Sequence, residues 1–231
     1  MSAAGTRARV RAELTKEIAE VARRHLASDG AAALSLRAVA REMGMASSAV
    51  YRYFPSRDDL LTTLIVEAYD AIGEAAEQAV AAAPKGDLRA RWQAICRATR
   101  EWAVAHPHEY ALVYGSPVPG YAAPQATIGP AGRVGLLLTT LISDGVAAGT
   151  VDPLGSPTGS DAALTPDIAE RVGLASTSAE SSLAARGVTA WISLFGLISF
   201  EIFGHTNNIV EDHERFFTDA TDRLADLVGL P

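Results

Sequence analysis

Apolar residues recur with a helical period along almost the whole chain. In the first such segment, Val10, Leu14, Ile18, Ala22 and Leu26 follow one another at intervals of four residues. That interval places apolar side chains on one side of an α-helix. No alternation of apolar and polar residues between hairpin turns indicates a strand. The pattern therefore predicts an all-α protein.

Glycine, proline and polar clusters set the approximate ends of these helices, because such residues favour caps and turns over helix interiors. Ser35 and Ser47 are suited to cap the second and third helices. The polar stretch from Gly149 to Pro166 predicts a mobile loop. About nine helices are predicted, at about 7–28, 36–43, 47–54, 57–83, 87–105, 107–115, 128–148, 179–204 and 210–228, with a weaker segment near 167–174.

The helix lengths predict two domains. Three short helices form an N-terminal unit over residues 1–57, and longer helices form a larger bundle over residues 58–231. The helix at about 57–83 connects the two. A chain of 231 residues is long enough to bury a core in each.

The second and third helices, separated by a turn at Gly44, have the arrangement of a helix-turn-helix. In that motif the second helix enters the major groove of DNA. Small residues at its start permit close approach, and phenol and guanidinium groups can bond to phosphates or bases. Val50 and Phe54 face the preceding helix instead. The outward residues are Ser47, Ser48, Tyr51, Arg52 and Tyr53, and Arg57 can hold a phosphate at the start of the next helix. The alternative is a helical hairpin with a solvated surface.

The charge distribution favours DNA contact by the N-terminal segment alone. The chain has a net charge of −7, but residues 1–60 carry ten basic and seven acidic residues. Residues 61–231 carry ten basic and twenty acidic residues. A polyanion is attracted to the first part and repelled by the second.

Composition excludes several other classes of protein. The single cysteine, Cys96, rules out an internal disulfide and a cysteine-cluster metal site. Charges interrupt the N-terminus, so it does not have the pattern of a signal peptide. The longest uncharged apolar run, residues 187–200, has 14 residues and is too short to cross a bilayer. A cytoplasmic protein, associated with the nucleoid when bound to DNA, is expected.

Residues 10–61 resemble the DNA-binding domain of the tetracycline-repressor (TetR/AcrR) family of bacterial transcription regulators. The resemblance lies in "SLRAVA" from Ser35, in Gly44-Met45, and in "VYRYFPSRDDLL" from Val50. Ala46 and Ser48 depart from the family pattern, which commonly has serine and glycine there. The resemblance implies DNA contacts by Ser35, Arg37, Ser47, Ser48, Tyr51, Arg52, Tyr53 and Arg57.

The family resemblance also implies a C-terminal domain that binds a small molecule and dimerises. The late helix further resembles a subgroup with a Trp…His-Gly signature, although Phe195-Gly196 stands in place of His-Gly. Aromatic residues with polar tips suit an apolar cavity for a lipophilic or aromatic effector, and the alternative for each is plain core. The candidate ligand-binding residues are Trp92, Trp102, His106, Tyr110, Tyr114, Trp191 and Phe195.

The histidines do not indicate a metal site, because His106 and His108 flank Pro107 and no cysteine or carboxylate cluster completes a ligand set. His106 suits the end of one helix, and Pro107 suits the start of the next. No cofactor is expected. No nucleophile–base set, phosphate-binding loop or HExxH motif indicates an enzyme.

The last two helices carry apolar faces that predict a four-helix dimer interface about a two-fold axis. The alternative for the same residues is the core of one chain. The candidate interface residues are Leu183, Gly187, Trp191, Leu194, Ile198, Phe217, Ala220 and Leu224.

The sequence therefore predicts a homodimeric repressor that binds a palindromic DNA operator and is released by a small effector. Two alternatives remain, a transcriptional activator and a helical interaction module without a ligand. The effector, the operator sequence and the controlled genes are not determined by the sequence.

Overall fold

The computed structural model describes residues 3–152 and 178–231, and within these ranges it contains helices and no strand. The all-α prediction is confirmed. The weaker helix predicted near 167–174 and most of the 149–166 loop lie outside the described residues. The nine α-helices of the described residues are α1 (Ala3–Asp29), α2 (Leu36–Glu42), α3 (Ser47–Val50), α4 (Arg57–Ala82), α5 (Leu88–Ala105), α6 (Pro107–Tyr114), α7 (Ile128–Ala147), α8 (Ser178–Ile202) and α9 (His213–Val228).

The chain forms two compact units. Unit 1 comprises residues 1–69 and 106–131, and unit 2 comprises residues 70–105 and 132–231. The division falls within α4 rather than at residue 57, because Leu60, Leu61 and Leu64 of α4 belong to the same apolar core as α1, α2 and α3. Unit 1 is therefore larger than the N-terminal domain expected from the sequence.

The core of unit 1 forms where α1, α2 and α3 pack together. Ile18 and Ala22 of α1, Val39 of α2 and Val50 of α3 are each fully buried. Val10 begins the apolar stripe in the sequence, but it is 45% exposed. The burial of α1 begins at Ile18, so the first turns of this helix extend beyond the core.

Helices α5, α8 and α9 form the centre of unit 2. Trp92 of α5 is fully buried, and its indole Nε1 donates a hydrogen bond to the Thr221 carbonyl at 2.9 Å. Arg100 of α5 makes a two-pronged ion pair with Glu201 of α8, with both N–O distances at 2.7 Å. These contacts tie α5 to both later helices.

An arginine on α7 binds two acidic residues of α4 within unit 2. The Nε and Nη2 atoms of Arg133 donate to the two carboxylate oxygens of Glu77 at 2.9 and 2.7 Å, and Nη1 donates to Asp70 Oδ1 at 2.8 Å. These hydrogen bonds lower the pKa of Glu77. Gly73 lies between the two acidic residues, and a Cβ atom there would lie 2.7 Å from Arg133 Nε. The glycine therefore allows the arginine to lie flat across α4.

Alanine substitutions at two helical glycines should change stability in opposite directions. Gly73→Ala is expected to lower the free energy of unfolding by about 1–2 kcal/mol, since overpacking displaces Arg133. Gly132→Ala on α7 is expected to raise it by about 0.5–1 kcal/mol, because alanine is the better helix former and a Cβ there meets no atom within 4 Å. Urea unfolding measures both values. Equal stabilisation by the two substitutions would contradict the packing role of Gly73.

Two described segments have the length and composition of membrane-spanning helices. They are residues 125–147 and 182–202, with mean hydropathies of 1.2 and 1.5. The second is longer than the uncharged run recognised in the sequence, because Arg186 and Glu201 at its ends do not interrupt the helix. Core helices of soluble proteins satisfy the same criterion, so these lengths do not establish a membrane protein.

Candidate nucleic-acid interface and subunit surface

Helices α2 and α3 are joined by a tight turn at Gly44, which has a φ of +65°. A residue in this left-handed region is most easily glycine. The Met45 N–H donates to the Ala40 carbonyl at 2.9 Å and closes the turn. Ala46, not Ser47, occupies the N-cap position of α3, and its methyl side chain makes no capping hydrogen bond. The prediction of a Ser47 cap is therefore wrong.

After Val50 the chain continues as a tighter turn to Phe54, and we use the name reading helix for residues 47–54. The Phe54 N–H donates to the Val50 carbonyl at 3.1 Å, and the Tyr53 N–H donates to the same carbonyl at 2.9 Å. Val50 and Phe54 are buried in the core of unit 1, as their spacing predicts.

Four candidate DNA-binding side chains lie on the exposed side of the reading helix. Ser47, Ser48 and Arg52 are exposed, and Tyr51 is 43% exposed. They share one short stretch with no carboxylate among them. This side can offer two hydroxyl groups, a phenol and a guanidinium to a nucleic acid.

Tyr53 has a different environment from its neighbours. It is half-buried and packs against the core of unit 1. The guanidinium of Arg11, from α1, lies over its ring at 5.2 Å, and Arg11 Nη2 donates to the Arg52 carbonyl at 3.1 Å. The sequence did not single out Arg11, because a contact across 41 residues leaves no local signal. Tyr53 thus serves the packing of the reading helix.

The side chain of Arg57 is engaged by the fold. Its Nε donates to the Leu34 carbonyl at 3.0 Å, and its Nη2 donates to the carbonyls of Ala31 and Ala32 at 2.8 and 3.2 Å. These carbonyls belong to the short turn between α1 and α2. The guanidinium therefore joins the start of α4 to that turn, which differs from the phosphate contact expected from the sequence.

Arg57→Ala is expected to lower the free energy of unfolding by about 2–3 kcal/mol, because hydrogen bonds from a charged donor to partly buried carbonyls are lost. Arg57→Lys should recover only part of this loss, since an ammonium group cannot reproduce the planar fork. Urea unfolding measures both variants. Wild-type stability of Arg57→Ala would show that the three hydrogen bonds contribute nothing measurable.

The two α2 candidates lie at the start of that helix. Ser35 occupies the N-cap position with an extended backbone, but its side chain makes no capping hydrogen bond. The expected capping contact is therefore not formed. Arg37 lies in the first turn and is exposed.

The candidate ligand-binding residues are divided between the two units. In unit 1, His106 is exposed and precedes Pro107 at the start of α6, as predicted, and Tyr110 is fully buried. The rings of Tyr110 and Tyr114 lie 5.0 Å apart. Tyr69, which the sequence did not single out, meets Tyr114 edge-on at 5.8 Å. Burial raises the pKa of both Tyr69 and Tyr114, so both phenols stay protonated near neutral pH.

The other four candidates lie in unit 2. Trp92 is a core residue whose indole N–H is bonded to the backbone, and this corrects its assignment to the ligand site. Trp102 is half-buried. Trp191 and Phe195 of α8 contact each other edge-on at 5.9 Å, with Trp191 exposed and Phe195 buried. No group of three or more metal-ligating side chains occurs in the described ranges.

Four of the eight candidate interface residues are buried within the chain itself. Leu183, Leu194 and Ile198 belong to the core of the single chain, and Phe217 is also buried although its edge lines the groove described below. Gly187, Ala220 and Leu224 are half-buried, and Trp191 is exposed. The candidate residues therefore combine the inner and outer faces of α8 and α9.

An apolar groove of about 480 Å³ lies on the outer faces of α8 and α9. On α8 it is lined by Ser193, Gly196, Leu197, Phe200 and Glu201, whose spacings of three, four, seven and eight residues define one helix face. On α9 the lining residues are His213, Phe216, Phe217, Ala220, Arg223 and Leu224, and Thr206 lines the groove between the two helices.

Helix α9 carries two apolar stripes with different partners. Phe217, Thr221, Ala225 and Val228 face the core of unit 2 and are buried. Phe216 and Leu227 face outward and are 43% and 38% exposed. A helix that is apolar on both sides needs two apolar partners, and the described residues of the chain supply only one.

Comparison with known proteins connects both surfaces to one family. A family model described as bacterial regulatory proteins of the tetR family matches residues 18–64, which include the reading helix. A second model, described as the tetracyclin repressor-like C-terminal domain, matches residues 92–224. Together the two models cover more than half of the chain.

Similar proteins match over most of their length. The HTH-type transcriptional regulators Rv1816 of Mycobacterium tuberculosis and Mb1846 of Mycobacterium bovis are each 41% identical over 209 residues, covering 87% of this chain and 85% of theirs. The crystal structure of SCO4313, described as a regulatory protein, is 30% identical with a TM-score of 0.72, covering 96% of this chain and 98% of that one. The TetR-family regulator PfmR of Thermus thermophilus shares the fold at 17% identity and a TM-score of 0.60, with coverages of 93% and 98%.

Proposed function

Because this chain belongs to the TetR family of bacterial transcription regulators, we propose that it is a homodimeric repressor that a small lipophilic or aromatic effector releases from a palindromic operator. The family consists of DNA-binding regulators, which are not enzymes. The observation that carries the proposal is the reading helix, which combines a buried anchor, Val50, with exposed Tyr51 and Arg52.

The reading helix supports sequence-specific binding. Its exposed groups can contact base edges in the major groove, where each base pair presents a distinct pattern of donors and acceptors. We assign this role to Ser47, Ser48, Tyr51 and Arg52, with Arg37 as a phosphate contact at the start of α2. Tyr53 and Arg57 position these groups through their contacts within unit 1.

The groove on α8 and α9 supports a dimer about a two-fold axis. Its occupant in this proposal is the same groove of a second copy, because a two-fold interface uses one surface twice. Phe200 and Phe216 line it and are exposed in the single chain. Such an interface also accounts for an apolar α8 that is only partly buried in one chain. A dimer presents two reading helices to a site with two-fold symmetry.

The effector proposal depends on the aromatic residues that the sequence singled out. The tyrosines on α6 lie in unit 1 and the Trp191–Phe195 pair lies in unit 2. Tyrosine and tryptophan each combine apolar surface with a polar tip, which suits an apolar ligand with a few hydrogen-bonding groups. An effector shifts the protein toward release only if it binds the DNA-incompetent form more tightly. The resemblance to the Trp-His-Gly subgroup stays a prediction. A cytoplasmic location follows from the proposed role, because the operator lies there.

Selection of bound sites from random duplexes tests the DNA-binding part. We expect a palindromic consensus with half-sites on the order of 34–36 Å apart for the simplest geometry, and binding that weakens steeply with salt. Location of the sites over a promoter would support repression, and location upstream of it would support activation. Absence of salt-dependent binding to any duplex would leave the helical interaction module as the better explanation.

The effector part is tested by titrating the protein with apolar and aromatic compounds. Binding should change tryptophan fluorescence, raise the melting temperature and release the selected duplex. If no compound changes any of these three readouts, the effector proposal fails, and the DNA-binding proposal is unaffected.

A further inference from the structure

The N-terminal part of α1 contributes almost nothing to the core of unit 1. Every residue from 5 to 13 is exposed, and burial begins at Ile18. Residues 5–13 span about 12 Å of helix. Packing within unit 1 therefore does not account for this extension.

The two sides of this extension differ in charge. Arg7, Arg11, Leu14 and Ile18 follow one another at spacings of four, three and four residues, which places them on one side of α1. We call residues 7 and 11 with the surface between them the arginine side. The opposite side mixes signs, since Arg9 lies 3.6 Å from Glu13 and Lys16 lies 3.8 Å from Glu20. No carboxylate shares the arginine side between residues 5 and 18.

The arginine side meets the reading helix. Arg11 Nη2 donates to the Arg52 carbonyl at 3.1 Å, and its guanidinium lies over Tyr53 at 5.2 Å. Arg11 therefore contacts the C-terminal part of the reading helix. Arg7 lies four residues nearer the start of α1, about 6 Å along the helix axis from Arg11, so it continues the basic surface along α1 beyond the contact with the reading helix.

We infer that the arginine side of α1 binds the DNA backbone beside the half-site that the reading helix contacts, with Arg7 bonded to a phosphate. A guanidinium is suited to this because its N–H groups match two phosphate oxygens. The contact adds affinity without sequence information. The inference rests on the proposed function, since it requires that the reading helix bind DNA.

The experiment compares Arg7→Gln with Arg9→Gln, which removes the same charge from the other side of the same helical segment. Dissociation constants are measured between 50 and 200 mM salt, for the selected operator and for a random-sequence duplex. Each phosphate contact contributes about 0.9 to the slope of log K against log salt. Arg7→Gln in a dimer should reduce that slope by about 2 on both duplexes, and Arg9→Gln should leave it unchanged.

Three results would overturn the inference. If wild type binds its operator and Arg7→Gln keeps the wild-type slope, Arg7 does not bind a phosphate and the proposed function stands. If Arg9→Gln lowers the slope as much as Arg7→Gln, the effect is one of general charge. A reduced melting temperature of Arg7→Gln would assign Arg7 to the fold. Failure of wild type to bind any duplex would instead contradict the proposed function.

Discussion

Gly196→Arg is expected to convert a dimer into monomers and to abolish operator binding at nanomolar protein concentrations. Gly196 lines the apolar groove on α8, and a Cβ atom added there meets no atom of the described residues within 4 Å. The substitution is therefore compatible with the fold of one subunit. In a two-fold interface it introduces two further cations into an apolar groove, and a buried charge without a full partner costs about 3–5 kcal/mol.

Sedimentation or native mass spectrometry measures the outcome. Wild type should have twice the chain mass of 24.2 kDa, and the variant should have the chain mass itself. Thr218→Arg is the matched control, because it adds the same charge on α9 at an exposed position outside the groove. That variant should remain dimeric. A dimeric Gly196→Arg with unchanged affinity would show that the groove is not the subunit interface.

Tyr51→Ala and Arg52→Ala are each expected to weaken operator binding by about 1–3 kcal/mol, or about 5- to 150-fold. Both side chains are exposed, so their truncation should leave the melting temperature unchanged. Titration of the selected duplex by fluorescence anisotropy measures the affinities. A base contact relaxes specificity at one operator position, whereas a phosphate contact weakens all sequences equally.

Arg97→Ala is the control for charge, because Arg97 is exposed on α5 in unit 2. Its loss should change operator affinity little. If Arg52→Ala and Tyr51→Ala both bind as Arg97→Ala does, the assignment of the reading helix is wrong. A variant that loses affinity together with thermal stability would indicate a role in folding rather than in recognition.

Most helices could be predicted from the sequence because their signals are local. The predicted helix at 57–83 corresponds to α4, Arg57–Ala82, and the predicted helix at 107–115 corresponds to α6, Pro107–Tyr114. Periodicity identified the helices, and proline, glycine and polar residues marked their ends. The cap of α3 was misjudged, because Ser47 and Ala46 are adjacent and only the backbone geometry distinguishes them.

The roles of individual side chains were harder to predict. Arg57 has the chemistry of a phosphate contact, but its hydrogen bonds go to Leu34 and to the turn before it. Arg11 gave no signal in the sequence, although it contacts the reading helix. Trp92 is of a residue type common in ligand sites, but its indole N–H donates a hydrogen bond to the Thr221 carbonyl. Each partner lies between 23 and 129 residues away along the chain.

The sequence by itself determined the helical class, the position of the helix-turn-helix and the charge difference between a basic N-terminal segment, residues 1–60, and an acidic remainder, residues 61–231. These properties depend on residue spacing, capping and net charge over short segments. Only the tertiary structure decided which face of α9 is core and which is surface, since Phe216 and Phe217 are equally apolar neighbours. Burial is a property of three-dimensional packing, and a helix that is apolar on two sides does not specify which side the chain will cover. The same reason explains why half of the predicted interface residues proved to be core.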